Sequence, residues 1–132
     1  MVFVDTGAWF ALAVSDDVDH ARAGRWLAQN REPLVTTDSV ISETVTLLRA
    51  RREPKRAIDV GRSIIEGDTA VLHFTTPAEF RRAWILFQQP RSRDWSFADC
   101  LSKVVIDTMG LKKAFAFDGH FRQFGSIEVV PN

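Results

Sequence analysis

Four acidic residues, far apart in the chain, are placed where they could act together: Asp5, Glu43, Asp99 and Asp118. Carboxylates within about 4 Å of one another repel by roughly 4 kcal/mol per pair at an effective dielectric of 20, so such a cluster needs cations. With only oxygen donors nearby, the favoured ions are Mg²⁺ or Mn²⁺ rather than zinc. One or two such ions would support phosphodiester hydrolysis by activated water.

Each of these acids also has a structural interpretation. Asp99 completes a helix capping box and could pair with Lys103 four residues later. Asp118 precedes a glycine and Asp5 precedes Thr-Gly, which suits turns. Taken singly, each of these three is more often structural than catalytic. Glu43 is harder to explain in this way, because we expect it on an otherwise apolar helix face, where a carboxylate needs a partner.

The acids are spaced by short apolar runs that alternate with helical patterns. The runs predict five strands, at Val2–Val4, Leu34–Thr37, Val71–Phe74, Ala114–Phe117 and Ile127–Val130. Between them we expect helices over Asp19–Gln29, from the second strand to about Arg51, from Pro54 to about Gly67, from Thr76 through Phe87, and from Ser96 to a C-cap at Gly110. We also expect Asp5-Thr6-Gly7 to form a turn, and a short turn or helix around Phe121.

Two helix starts are marked by capping boxes, in which an N-cap hydroxyl and an acidic side chain satisfy each other's backbone amides. These are Thr76 with Glu79 and Ser96 with Asp99. Strands alternating with helices predict an α/β fold, with a three-layer α/β/α architecture and a mostly parallel sheet of about five short strands. No linker interrupts the pattern, so we expect residues 1–132 to form one domain. At the carboxyl ends of parallel strands, all four acids should face the same rim.

The composition is typical of a globular domain that folds without disulfide bonds and without a membrane span. The chain has 132 residues, 45% of them hydrophobic, with 17 basic and 17 acidic residues and one cysteine, Cys100. A core without metal or disulfide staples is expected at this size, and a single cysteine excludes an intrachain disulfide. The apolar stretch Thr6–Ser15 is about half a membrane span and lacks a basic leader, so we expect a soluble, cytoplasmic protein.

Basic residues concentrate in the middle of the chain. Five of them fall between two predicted helices: Arg49, Arg51, Arg52, Lys55 and Arg56. Such a run suits contact with phosphates or with an acidic partner segment, and a solvated helix end is an equally good interpretation.

The histidines and tryptophans have ordinary interpretations. His20 and His120 could be general bases, but the sequence shows no partner for either, so we expect surface histidines. The tryptophans, which could stack on bases, are more often core or interface residues at helical spacing: Trp9, Trp26, Trp84 and Trp95.

Several segments, taken in order, resemble a known family. They are Val2–Thr6, the Ser42-Glu43 helix, Asp94–Cys100 and Phe115–Phe121. The set resembles the PIN domain, a metal-dependent ribonuclease fold. Order, spacing and length are similar to those of the VapC-type toxins of prokaryotic toxin–antitoxin pairs, over essentially the whole chain.

The resemblance implies a set of roles. The family's metal-binding acids fall on Asp5, Glu43, Asp99 and Asp118, with Thr6 and Ser96 as hydroxyl neighbours. Asp94 either lines the site or solvates a loop. The implied cofactor is Mg²⁺ or Mn²⁺, the implied substrate is RNA, and the implied partner is a small cognate antitoxin. A homodimer is also expected, since four tryptophans and ten phenylalanines exceed what so small a domain readily hides.

Two alternatives remain open. Asp-Thr-Gly after an apolar run is also the aspartic-protease triplet, but that fold is all-β and the capped helices oppose it. The second is a PIN-like scaffold that binds RNA or protein without cutting. The presence of all four acids disfavours it.

Overall fold

The computed structural model describes all of residues 1–132 and contains five strands, six α-helices and two short 3-10 helices. The strands are β1 Val2–Val4, β2 Leu34–Thr37, β3 Val71–His73, β4 Lys113–Phe115 and β5 Glu128–Val130. The α-helices are α1 Thr6–Ala13, α2 His20–Gln29, α3 Asp38–Ala50, α4 Pro54–Ile65, α5 Pro77–Phe87 and α6 Phe97–Met109. The 3-10 helices are η1 Pro90–Ser92 and η2 Gly119–Gln123.

The strands form one sheet in the order β3-β2-β1-β4-β5, and every pairing is parallel. β1 lies at the centre, where Val2 pairs with Leu34 on one side and Lys113 on the other. All three β1 residues are fully buried, as expected for a strand covered on both faces. The predicted α/β class is therefore confirmed, and the sheet is wholly rather than mostly parallel. The all-β aspartic-protease alternative is wrong.

The chain reverses direction across the sheet between β1 and β4. It first moves outward from β1 to β2 and β3, then returns to β4 and β5 on the other side of β1. Because such crossovers are right-handed, α1–α4 cover one face and α5 and α6 cover the other. The point of reversal lies beyond the carboxyl ends of β1 and β4, where ligand sites form in sheets of this kind.

The first helix differs from the prediction of a turn at Asp5-Thr6-Gly7. Thr6 begins α1, and the extended backbone of Asp5 (φ −91°, ψ 167°) is its N-cap. The amides of Ala8 and Trp9 donate to the Asp5 carbonyl, so the chain turns directly from strand into helix. α1 is apolar on most of its surface, and this removes the 3.6-residue pattern that identifies an amphipathic helix.

Most other local predictions agree with the structure, although β4 ends at Phe115 rather than Phe117 and β3 ends at His73 rather than Phe74. Both capping boxes form, and Gly110 ends α6 in the left-handed conformation at φ 65°. The short helix η1 was not expected. No helix in the structure combines the length and apolar character needed to cross a bilayer.

Candidate active site

Asp5 stands at the carboxyl end of the central strand. Its amide donates to the carbonyl of Phe115 at 3.0 Å, which joins the ends of β1 and β4. Although Asp5 is the N-cap of α1, its side chain makes no capping hydrogen bond. The carboxylate is therefore free to face the crevice at the sheet reversal.

Asp99 is held by the start of α6. Its Oδ2 accepts the Ser96 amide at 3.0 Å, and the Ser96 hydroxyl accepts the Asp99 amide at 3.0 Å. The suggested ion pair between Asp99 and Lys103 is wrong, because Lys103 binds Asp107 at 2.6 Å, one turn further along α6. Asp99 is thus buried at the rim with no lysine to balance its charge.

Asp118 follows β4 and caps η2. Its Oδ1 accepts the amide of His120 at 2.9 Å. The ring of His120 turns back toward the acids, with Nδ1 at 2.8 Å from Asp99 Oδ2 and 3.4 Å from Asp118 Oδ1. His120 is therefore not the unpartnered surface histidine that was expected. Its partner Asp99 lies on another helix, so no local pattern in the sequence could have revealed the contact.

Glu43 reaches the same rim from α3. It lines an open groove on α3 whose other residues are both polar and apolar: Ser39, Ser42, Thr46, Leu47 and Ala50. Burial raises the pKa of Glu43, and the nearby hydroxyl of Thr6 partly opposes this effect. The charges of Asp99 and Asp118 add to the effect of burial, so that pKa is raised overall.

The four carboxylates influence one another electrostatically. Burial raises the pKa of Asp5 to about 7, opposed by the Thr6 amide and reinforced by Glu43, Asp99 and Asp118. The pKa of His120 is raised by its hydrogen bond to Asp99 and by the charges of Asp118 and Asp94. Asp94 therefore lies within electrostatic reach of the cluster. A concentration of negative charge this high favours a bound cation.

The donor set fits a divalent cation. One ligand atom from each of Asp99, Asp118 and His120 falls within a span of 4.8 Å. Asp5 and Glu43 add oxygen donors, and burial together with the neighbouring acids raises the pKa of both groups. Carboxylate oxygens predominate, and there is no thiolate among them, as hard cations prefer.

The basic segment Arg49–Arg56 lies away from this rim. α3 starts at the rim and runs back along the sheet, so Arg49 is about 9 Å beyond Glu43 at about 1.5 Å per residue. Two of the cations are engaged within the protein. Arg56 binds Glu53 and donates to the Ala13 carbonyl at 3.2 Å, and Arg51 lies over the Phe10 ring at 5.7 Å. Arg49, Arg52 and Lys55 are exposed and make no ion pair.

The tryptophans divide between core and surface. Trp9 and Trp95 are buried, and their indole N–H groups donate to Thr36 and Gln123. Trp26 packs against Phe115 with ring centroids 4.3 Å apart. Trp84 is 53% exposed. It belongs to an aromatic patch formed by Phe80, Trp84 and Phe87 of α5 with Phe97 of α6, whose ring centroids lie 5.2 to 6.4 Å apart.

Known proteins resemble this chain over nearly its whole length. A family model of the PIN domain matches residues 2–127. The 23S rRNA-specific endonuclease VapC20 of Mycobacterium tuberculosis, from two strains, is 34% identical over 131 residues, which cover 99% of each chain.

A solved structure gives the same result in three dimensions. The crystal structure of Mycobacterium tuberculosis VapC20, described as a sarcin-ricin loop cleaving toxin, superposes with a TM-score of 0.91 at 30% sequence identity. The match covers 99% of this chain and 100% of the other. This chain belongs to the PIN domain family.

Proposed function

We propose that this chain is a divalent-metal-dependent endoribonuclease that acts as the toxin of a toxin–antitoxin pair. The observation that carries the proposal is the convergence of Asp5, Glu43, Asp99 and Asp118 at the sheet reversal, where no basic side chain of the chain other than His120 pairs with them. The likeness to an rRNA endonuclease over the whole chain supports the same activity.

In the proposed mechanism, the chain's own residues bind the cation and fix its place. Asp5 and Asp99 are the central ligands, while Glu43 and Asp118 complete the shell directly or through water. A bound divalent cation supplies the Lewis acidity that phosphodiester hydrolysis requires. The capping box of Ser96 and Asp99 and the strand end at Asp5 are rigid elements, so the acids keep their positions before the cation arrives.

The proposed ion is Mg²⁺ or Mn²⁺. Carboxylate oxygens suit both ions.

The proposed substrate is RNA, and 23S rRNA is the first to test because the relative VapC20 is specific for it. An open groove of about 560 Å³ runs along α3 beside Glu43, lined by Ser39, Thr46 and Ala50. Because Glu43 lines this groove, a single strand lying in it would contact that acid.

The proposed partners are a small cognate antitoxin and a second copy of the chain. The exposed aromatic patch on α5 and Phe97 is the surface that we assign to the second copy, because it is large, apolar and uncharged. Phe97 is two residues from Asp99, so a dimer formed there would bring two acid clusters near one another. We further propose that residues 1–132 work as one domain in the cytoplasm.

Cleavage of ribosomal RNA tests the activity. Purified protein, its Asp99→Asn variant and a surface variant, Asp59→Asn, are incubated with ribosomes, and cuts in 23S rRNA are mapped by primer extension. Wild type and Asp59→Asn should cut when Mg²⁺ or Mn²⁺ is present and stop when the ion is chelated, whereas Asp99→Asn should fail. Cleavage that survives exhaustive chelation would contradict the mechanism.

The same experiment separates the second candidate, a PIN-like scaffold that binds RNA without cutting. That function predicts retention of RNA in a filter-binding assay and no turnover with either ion. The unbalanced charge of the four acids opposes it, because a surface that only binds RNA gains nothing from carboxylates that repel phosphate.

A further inference from the structure

His120 connects two of the acids through separate groups. Its amide donates to Asp118 Oδ1 at 2.9 Å, and its ring Nδ1 lies 2.8 Å from Asp99 Oδ2. An ionised carboxylate can only accept hydrogen bonds, so the tautomer that fits this 2.8 Å contact with ionised Asp99 is the one in which Nδ1 donates. The ring thus donates to Asp99 while its backbone holds Asp118.

The contact makes the two carboxylate oxygens of Asp99 different, because only one of them accepts hydrogen bonds from the protein. Oδ2 already accepts the Ser96 amide at 3.0 Å, and the His120 ring adds a second hydrogen bond to the same oxygen. Oδ1 receives no hydrogen bond within the protein. Asp99 therefore offers one oxygen with both lone pairs free, in a direction that two donors fix.

The backbone that carries the His120 ring is anchored by the core. The residue after His120 is Phe121, which is fully buried, packs on Phe3 of the central strand and contacts Phe124. η2, capped by Asp118, holds this segment in place. The His120 side chain is 32% exposed, so its position depends on this backbone and on Asp99.

We propose that His120 is a positioning residue for metal binding: its Nδ1–H holds Asp99 Oδ2 so that Oδ1 alone meets the cation. The inference rests on the proposed function and adds to it the residue that orients the central ligand. Hydrogen-bond partners of metal ligands typically contribute 10–100-fold to metal affinity.

Two other roles for His120 predict different results. If the ring were only a positive charge balancing the acids, its removal would strengthen cation binding. If Nδ1 were itself a ligand, the ring would lose its Nδ1 proton when the ion binds, and an amide donor could not replace it.

Two shape-matched substitutions distinguish these roles. Asn places an amide donor at the position of Nδ1, whereas Leu places a methyl group there. Mn²⁺ affinity of the metal-free protein is measured by electron paramagnetic resonance of the free ion, for wild type, His120→Leu, His120→Asn and a control, His20→Leu. His20 bonds the Ala11 carbonyl, away from the acids.

We expect the Mn²⁺ dissociation constant to rise about 10-fold or more for His120→Leu, by loss of the orienting bond, and to stay within about threefold for His120→Asn. His20→Leu should bind like wild type. Unchanged or tighter binding by His120→Leu overturns the inference, and so does equal weakening by the Asn and Leu variants. Absence of Mn²⁺ binding by wild type instead contradicts the proposed function.

A second measurement does not depend on how the variants fold. Two-bond ¹H–¹⁵N spectra of wild type report which ring nitrogen of His120 carries the proton. We expect a protonated Nδ1 both without metal and with Mg²⁺ bound. Loss of that proton on Mg²⁺ binding would overturn the inference.

Discussion

The hydroxyl of Thr44 lies 3.2 Å from the hydroxyl of Thr6 and joins the middle of α3 to the first residue of α1. Thr6 in turn donates to the Val40 carbonyl at 3.3 Å, and all three residues are buried. This contact sets the spacing between the helix that carries Glu43 and the residue that follows Asp5.

Replacing Thr6 by the isosteric valine should therefore affect both stability and the site. We expect Thr6→Val to lower the free energy of unfolding by about 0.5–1.5 kcal/mol, because the hydrogen bond from Thr6 to the Val40 carbonyl is lost while Thr44 still donates to that carbonyl at 2.7 Å. Turnover should fall as Glu43 loses its hydroxyl neighbour. Urea denaturation and the rRNA assay measure the two effects, with Ser63→Ala on α4 as control. Unchanged stability would show that the hydroxyl contributes nothing.

Loss of charge at the central acids should abolish cleavage. Asp5→Asn and Asp99→Asn keep the side-chain shape, and their loss of activity should exceed the roughly 10–100-fold expected for an outer-shell partner. Initial rates at saturating Mn²⁺ provide the measurement, and Asp59→Asn is the matched control. If both variants cut normally, the site lies elsewhere in the chain.

Asp5 should make the metal-free protein less stable as pH rises. Its pKa is about 7 in the folded chain against 3.8 ordinarily, so the folded state retains the proton between these values. The stability that protonation of Asp5 gives the folded state is fully present below pH 3.8 and is lost as the pH rises to 7. The free energy of unfolding falls by about 4 kcal/mol at most. Thermal unfolding of wild type and Asp5→Asn from pH 4 to 8 tests this.

The difference between the two proteins is the informative quantity. Asp38 and Glu79 have lowered pKa values and act in the opposite direction, but they are present in both proteins. We expect the thermal stability of Asp5→Asn to increase relative to that of wild type as the pH rises. A constant difference across the range would mean that Asp5 is not perturbed.

The aromatic patch should hold the dimer together. Trp84→Glu places a charge at its centre, and because Trp84 is half exposed, the monomer should still fold. Light scattering at micromolar concentration should show a dimer for wild type and a monomer for the variant. Val18→Glu, at a position that is 90% exposed and outside the patch, is the control. A monomeric wild type would rule out the dimer and leave the catalytic proposal intact.

The exposed basic side chains that make no ion pair, Arg49, Arg52 and Lys55, should contribute to RNA binding but not to turnover. Arg49→Ala with Lys55→Ala should weaken RNA binding and make its logarithmic salt dependence shallower by about 0.7 per lost phosphate contact. Turnover of saturated enzyme should stay the same, because these residues lie away from the acids and bind substrate and transition state alike. An unchanged salt slope would assign the segment to solvent or to the antitoxin, and antitoxin binding is then the property to measure.

Local signals in the sequence predicted much of the fold. The boxes Thr76–Glu79 and Ser96–Asp99 and the C-cap at Gly110 act within a few residues, so each could be identified from neighbouring letters alone. The strands could be predicted because each is a short apolar run that lies between such capping and turn signals. α1 could not be found this way, because it is apolar on most sides and begins at an Asp-Thr-Gly sequence that also suits a turn.

The site was predictable in its acids but not in their connections. Parallel strands bring their carboxyl ends to one rim, and that rule selects Asp5 and Asp118 without knowledge of any contact. The hydrogen bond from His120 to Asp99 joins residues from different elements and depends on the packing of Phe121. The exposure of Trp84 likewise depends on which face of α5 the core leaves uncovered. The metal-binding roles of the four acids remain predictions.

The central position of β1 also affects when the protein can become active. Val2 pairs with Lys113, so β1 is completed on that side only after the residues up to Lys113 have been translated. Chains fold from the N-terminus as they emerge, and pairings this distant form late. On a nascent chain, the acid cluster is therefore incomplete, because Asp5 has not yet been joined by Asp99 and Asp118.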